Sequence, residues 1–438
     1  MEWYWSLALI ILPFIALLMA GVPVVFSFLA VNGVGMFLLM GGEPGLEQLI
    51  NTIYRSLNIF VLVPITLFIL MGEVLFRSGI AMNMVDTIDK WVGRLPGRLS
   101  LVAVGSGTIL SALSGSTIGS TAMLTTTLLP EMERRGYHRS MSLGPLMGSG
   151  GLSMLIPPSG LGVILAVLAK ISVANFLVAI VLPGLLLAAI YVVYVLFRCT
   201  LQPHLAPPYA FDPPPLLERI LLSIRYILPL TLIIFLVIGL MFLGVATATE
   251  AAALGTAGAF ILAAAYGKFS WELVWASLIS TLRTAVMVLT ILAAAEAFSQ
   301  ILAFTGATRH LVAWAAAQPL PPILLILAML GVLLVLGCFL SGVPMMMITL
   351  PIFLPLLAKL GYDPIWFCVL FLLLMEMGQI TPPYGILLFV VKSVVPKGTT
   401  MSNIIGAAMP FLLCQFVALT LLIAFPAISL WLPSLMRN

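Results

Sequence analysis

Two short polar stretches interrupt apolar runs in the first half of this chain. They are Ser114-Gly115-Ser116-Thr117 and Ile156-Pro157-Pro158-Ser159-Gly160. A helix broken in this way frees carbonyls at one end and N–H groups at the other, so one break can serve a cation and an anion together. A hard cation of the sodium type wants several oxygens. The hydroxyls of Ser114, Ser116 and Thr117 and the carbonyls around Gly115, Ser153 and Ile156 could supply them. In the second half, Ser341, Gly342, Gly378, Thr381 and their neighbours offer the counterpart. No carboxylates cluster at either place, which disfavours a divalent ion.

These stretches belong to a repeat. Leu340-Ser341-Gly342, Leu354-Pro355, Gly361-Tyr362 and Thr381-Pro382-Pro383-Tyr384-Gly385 follow Leu113-Ser114-Gly115, Leu129-Pro130, Gly136-Tyr137 and Ile156-Pro157-Pro158-Ser159-Gly160 at 225 to 227 positions' distance. Lipid offers no partner to a free backbone group, so such breaks persist only where protein or a water-filled cavity lines them. Interrupted helices at matching places in two halves point to the binding site of a secondary transporter, near the bilayer midplane.

The elements around these breaks must cross a membrane. Of 438 residues, 62% are hydrophobic and 8% charged. With roughly 20 apolar residues per crossing, the length accommodates about ten spans and some shorter pieces. Apolar segments at 4–20, 21–40 and 57–76 precede an amphipathic piece at 77–98, expected to lie along the interface. A hairpin of two half-depth helices is expected over 99–130, a broken span over 138–169 and a further span over 172–198. The proline-rich stretch 200–221 reads as a tether between the halves. Spans then fall at 222–243, 245–265 and 279–304, an interfacial piece at 306–319, a hairpin at 322–357, a broken span at 363–394 and a last span at 403–432.

The fold class expected is therefore an all-α polytopic membrane protein. Its first repeat covers 1–199 and its second 222–438, each with five transmembrane helices and one re-entrant hairpin. Five is odd, so the second repeat is inverted relative to the first. Charge sets the orientation: fourteen of the 19 Lys and Arg residues fall on the face opposite the N-terminus. That face is cytoplasmic by the positive-inside rule, and both termini lie outside. The net charge of +4 resides in loops and implies no nucleic-acid partner.

Ionisable groups at membrane depth are costly and usually functional. Glu73, Glu250, Glu296 and Glu376 are the candidates. Glu376, three residues ahead of Gln379, could take part in coupling with it, or line a polar cavity or bind a neighbouring helix. The four cysteines show no CxxC spacing and suggest neither zinc nor disulfides. An intramembrane serine hydrolase lacks support, because no GxSG occurs and no histidine falls inside an expected span, His138 standing only at the edge of one. No P-loop accompanies Lys268 or Lys397. The chain reads as a carrier and not an enzyme.

At the Ser-Gly-Ser tip, the Leu-Pro and Gly-Tyr connections, the two Pro-Pro breaks and Ala248-Thr249-Glu250-Ala251-Ala252-Ala253, the chain resembles the large membrane subunit of TRAP (tripartite ATP-independent periplasmic) transporters. The resemblance covers nearly the whole length. It implies sodium-coupled, elevator-type import across the bacterial inner membrane, hairpins and broken helices moving as a transport domain against a scaffold. It also implies a small four-helix membrane subunit and a periplasmic substrate-binding protein that delivers organic acids. Sodium ions serve as coupling ions, and no other cofactor is implied. Carried onto this chain, one sodium site falls at Ser114, Gly115, Ser116 and Ser153 to Pro158, and a second at Ser341, Gly342 and Gly378 to Pro382. Ser116, Pro157, Ser159, Gly342, Pro383 and Tyr384 are the candidate contacts to a carboxylate or sulfonate substrate. The chain departs from the family at Ser341-Gly342-Val343-Pro344, which bears on the second ion site, and at Gly150-Gly151 and Glu376-Met377-Gly378, where substrate identity could be set. A standalone divalent-anion carrier without a binding protein is the alternative.

Overall fold

The computed structural model describes residues 3–58, 63–209, 214–340, 342–383, 385–396 and 398–436. Among them only helices, turns and irregular segments occur. The chain opens with α1 (Trp3–Met19), α2 (Val24–Leu39), α3 (Glu43–Leu57), α4 (Val63–Arg77) and α5 (Ile80–Val92). Then come α6 (Arg98–Ser114) and α7 (Thr117–Arg134), joined at Gly115-Ser116, followed by α8 (Arg139–Gly151), a 3₁₀ turn (Leu152–Met154) and α9 (Gly160–Leu168). After α10 (Val173–Ala179) and α11 (Val181–Leu201), the second half holds α12 (Leu216–Leu222), α13 (Leu228–Phe242), α14 (Ala248–Ala265), α15 (Trp271–Phe304) and α16 (Ala307–Ala316). It continues with α17 (Pro322–Gly337), α18 (Gly342–Leu360), α19 (Pro364–Ile380), α20 (Ile386–Val394), α21 (Met401–Ala424) and α22 (Ala427–Ser434).

Six helical stretches among the described residues are long and apolar enough to cross a bilayer: Val173–Leu201, Leu216–Phe242, Ala248–Ala265, Trp271–Phe304, Gly342–Leu360 and Met401–Ala424. Shorter apolar helices of 10–17 residues include Pro322–Gly337 and Pro364–Ile380. The breaks divide two of the expected spans, and α1, α2 and α4 are 17, 16 and 15 residues long, so fewer helices reach full length than the ten expected. The first hairpin's arms exceed half depth. At 17 and 18 residues, α6 and α7 are each about 26 Å long at 1.5 Å per residue.

Helix α3 falls between the expected spans. Its apolar residues Leu46, Leu49, Ile50, Ile53 and Leu57 recur at helical spacing within a polar segment, so it is amphipathic and too polar to register as a span. Glu43 lies in its first turn and Arg55 in its last, each favourable against the helix dipole. The proline-rich stretch is also more structured than a tether. Leu205 accepts a hydrogen bond from the His138 N–H at 2.8 Å, and the Tyr209 ring lies 4.0 Å from the Arg135 guanidinium. Beside it, the Leu99 N–H donates to the Tyr137 hydroxyl at 3.2 Å, whose pKa burial pushes up to about 12.

Two sets of helix contacts stand out, and α6 joins them by packing on α4. In one, α15 runs against α2, α3 and α4, and α14 packs on α4 and α13. A cluster of Phe14, Phe28 and Phe298, with ring centroids 4.1 to 6.0 Å apart, ties α1 and α2 to α15. In the other, α6, α7 and α21 surround α8, while α17 and α21 flank α19. The distal halves of the broken segments cross over: α9 packs on α18 and α20 packs on α7. Each break therefore leans on the other half's hairpin.

Candidate functional site

The first tip forms because glycine and serine take the two positions a helix reversal demands. Gly115 ends α6 at φ +57°, a left-handed conformation open to glycine at no steric cost. Ser116 is extended and caps α7, its hydroxyl oxygen accepting from the Gly119 N–H at 3.2 Å. At the neighbouring break, fully buried Ser159 caps α9 by accepting from the Gly162 N–H at 3.1 Å. Tip and break touch: a Cβ on Gly115 would lie 3.5 Å from the Pro158 carbonyl oxygen and 3.8 Å from the Gly160 nitrogen.

Ser153 faces elsewhere. Its hydroxyl donates to the Gly150 carbonyl at 2.8 Å and meets Ser111 Oγ at 3.2 Å and Ser120 Oγ at 3.4 Å. Ser111 in turn donates to the Ser149 carbonyl at 3.3 Å, and the buried Thr121 Oγ1 has no partner among the described residues. This hydroxyl cluster between α6, α7 and the 3₁₀ turn escaped sequence reading, although the density of serines in these runs was its signal. The Ile156 side chain packs against α11, where a Cβ on Gly184 would lie 2.9 Å from Ile156 Cγ1.

In the second half, Ser341 and Tyr384 lie outside the described residues. Gly342 opens α18 against Met375, whose Cε would lie 2.3 Å from an added Cβ. Gly378 lets α19 approach α17, its Cβ position being 2.6 Å from the Gly337 carbonyl oxygen. The Thr381 hydroxyl donates to the Met377 carbonyl at 2.6 Å. The Pro157-Pro158 and Pro382-Pro383 peptide bonds are both cis.

A cavity of about 270 Å³ joins the halves. Gly115, Ser116 and Thr117 of the first tip line it, with Pro158 and Gly160 of the first break, Val343 of α18 and Gln379 of α19. Glu73 of α4 and Thr284 of α15 close it from the other group. Pro157, Ser159, Pro382 and Pro383 are outside this lining. Glu73 stood out in sequence only as a carboxylate at depth, and Thr284 gave no signal. Glu376 is away from the cavity and fully buried; Gln415 of α21 donates from Nε2 to its Oε1 at 2.9 Å. Gly151 of α8 faces the same carboxyl, its Cβ position 2.7 Å from Oε1. Among the other carboxylates, Glu250 closes a capping box with Thr247 at the start of α14, and Glu296 pairs with Lys170 at 3.2 Å. No group of three or more potential metal-ligating side chains occurs among the described residues.

Two helical hairpins and two broken segments around a shared cavity define a membrane transporter. Residues 11–428 match the family described as tripartite ATP-independent periplasmic transporter, DctM component, and the chain belongs to that family. It is a transporter permease component, not an enzyme. It is 31% identical over 400 residues to the C4-dicarboxylate TRAP transporter large permease protein of Pseudomonas aeruginosa, covering 91% of this chain and 92% of that one. It is 25% identical to the ectoine TRAP transporter large permease protein of Halomonas elongata, over 96% and 97% of the two chains. The YdaH transporter of Alcanivorax borkumensis shares the fold, with a TM-score of 0.64 at 15% identity over 92% and 96% of the chains.

Proposed function

We propose that this chain is the large subunit of a sodium-coupled importer of a small organic acid, a carboxylate or sulfonate, in the bacterial inner membrane. The observation that carries this reading is the cavity in which the first tip and first break meet Gln379 and Val343 of the second half. Its helix starts suit an acid group and its freed carbonyls suit cations. The two named relatives handle C4-dicarboxylates and ectoine, which brackets the substrate as a small polar acid. A small four-helix membrane subunit and a periplasmic binding protein complete the transporter.

The two halves, 1–199 and 222–438, are read as inverted repeats with both termini periplasmic. The group holding α6 to α9 and α17 to α21 slides as the transport domain, and the group around α4, α14 and α15 is the scaffold. One sodium ion takes oxygens from Ser114, Gly115, Ser116, Thr117 and the stretch Ser153 to Pro158. A second takes backbone carbonyls from Gly342, Gly378, Thr381 and Pro382, with Ser341 outside the described residues. Substrate lies against Ser116 and Gly342, with Pro157, Ser159 and Pro383 behind them, and Tyr384, outside the described residues, is the remaining candidate contact. Glu376 and Gln379, one turn apart on α19, link this site to α21.

Reconstitution of the chain with its small subunit tests the reading. Uptake of labelled organic acids should require an inward sodium gradient and a cognate binding protein, and should fall at least tenfold in Ser116→Ala at low sodium, about 1.4 kcal/mol of ion binding. Uptake that persists without sodium removes the coupling. Uptake that needs no binding protein moves the chain to the standalone carriers.

A further inference from the structure

The cavity at the tip carries the charge opposite to what an acid would seek. Glu73 is the one charged side chain among its described lining residues; no lysine, arginine or histidine lines it. Arg77, four residues on, donates from Nε to Glu73 Oε2 at 2.7 Å, but it stands outside the lining. The two side chains are 39% and 26% exposed, and an ion pair that open to water holds weakly. No hydrogen bond engages Glu73 Oε1 among the described residues. The cavity thus keeps a carboxylate with a usable oxygen.

Across the cavity the arrangement reverses. The starts of α7 and α9 lie at Thr117 and Gly160, and their first N–H groups are the donors that every helix start leaves unpaired. Gln379 of α19 also lines the cavity, and its side-chain amide carries N–H donors. A dicarboxylate spanning this space would put one end against Glu73, where like charges repel. A molecule with a carboxylate at one end and an ammonium or amidinium at the other satisfies both walls.

We propose that the cavity takes a zwitterion, its cationic group against Glu73 and its carboxylate toward the helix starts. This rests on the cavity being the substrate site and narrows the acid to that class. Glu73 then sets specificity and Arg77 moderates it.

The test uses the full chain with Cys199, Cys338, Cys368 and Cys414 replaced and Met287→Cys, which lines the same cavity. A trimethylammonioethyl thiosulfonate should label it about tenfold faster than a sulfonatoethyl one, relative to their rates with a free thiol. Glu73→Gln should abolish that preference and Arg77→Gln should widen it. If both variants shift the preference in one direction, the pair is merely structural and the proposal falls.

In the second arm, millimolar β-alanine should slow labelling by N-ethylmaleimide while succinate does not, and Glu73→Gln should remove the protection. Equal or better protection by succinate, or none by β-alanine, overturns the proposal. Neither arm needs sodium-driven uptake. Failure of coupled import would therefore leave these readouts standing, and their failure would leave coupled import untouched.

Discussion

The two broken segments share a backbone plan and differ in what fills it. Around the first, Ser153 bonds to Ser111 and Ser120, and Ser116 and Ser159 cap the helices that restart. Around the second, Met345, Met346 and Met347 are buried, Met375 packs on Gly342, and the Thr381 hydroxyl turns back on its own helix. The register makes the contrast sharp. Ser153 and Gly378 are 225 positions apart, as are Gly151 and Glu376. The first pair exchanges a hydroxyl for a close backbone contact, and the members of the second pair touch each other. The backbone break is what both halves need, and side-chain oxygens are concentrated in one of them.

Gly378→Ala should break the second half most severely. The new methyl would stand 2.6 Å from the Gly337 carbonyl oxygen and 2.8 Å from its Cα. Backbone atoms cannot swing aside, so α17 and α19 must separate, at a cost of about 3 kcal/mol. Ser153→Gly at the same register should cost less than half as much, since hydroxyl neighbours remain to pair. Unfolding midpoints of the purified variants measure both, and equal losses would show that the two breaks rely on the same kind of packing.

Much of this contrast was legible in the chain and some was not. Ser114-Gly115-Ser116 and the two Pro-Pro pairs announced the breaks because lipid forbids unpaired backbone, and their spacing announced the repeat. The joining of Gly115 to Pro158, and of Gln379 and Val343 to the same cavity, depends on how α9 and α20 cross to the opposite hairpin. No local pattern encodes that crossing. The hydroxyl cluster escaped notice because Ser111, Ser120 and Ser153 come from three segments. Helix α3 escaped notice because its apolar face is diluted by Glu43, Glu47, Gln48 and Arg55.

The contact between the halves is the next place to test. Glu376→Ala removes the acceptor of Gln415 Nε2 at 2.9 Å inside a fully buried site. An amide left without a partner there, with a cavity beside Gly151, should cost about 2 kcal/mol. Glu376→Gln should retain most of the stability because it keeps the shape and an acceptor oxygen. Thermal unfolding that treats the two variants alike would mean the carboxyl fills space and no more.

Capping at the breaks is worth less and belongs to the first half. Ser159→Ala deletes the oxygen that accepts from the Gly162 N–H at 3.1 Å, which should cost about 1 kcal/mol. Amide exchange should rise in the first turn of α9 and stay unchanged in α20, whose N-cap position, Gly385, makes no side-chain bond. Faster exchange in α20 as well would point to cooperative opening of both breaks.

Thr381→Val should matter least. The Thr381 hydroxyl donates to the Met377 carbonyl four residues back at 2.6 Å, a bond within one helix turn that adds little to stability. Valine keeps the shape, so the loss should stay below about 0.5 kcal/mol. The same geometry separates the two ion sites. If Thr381 serves an ion through its carbonyl, sodium half-saturation of uptake should be unchanged in Thr381→Val and raised in Ser116→Ala. A larger shift in Thr381→Val would mean that its hydroxyl leaves Met377 for the ion, and that the second break uses side-chain oxygen after all.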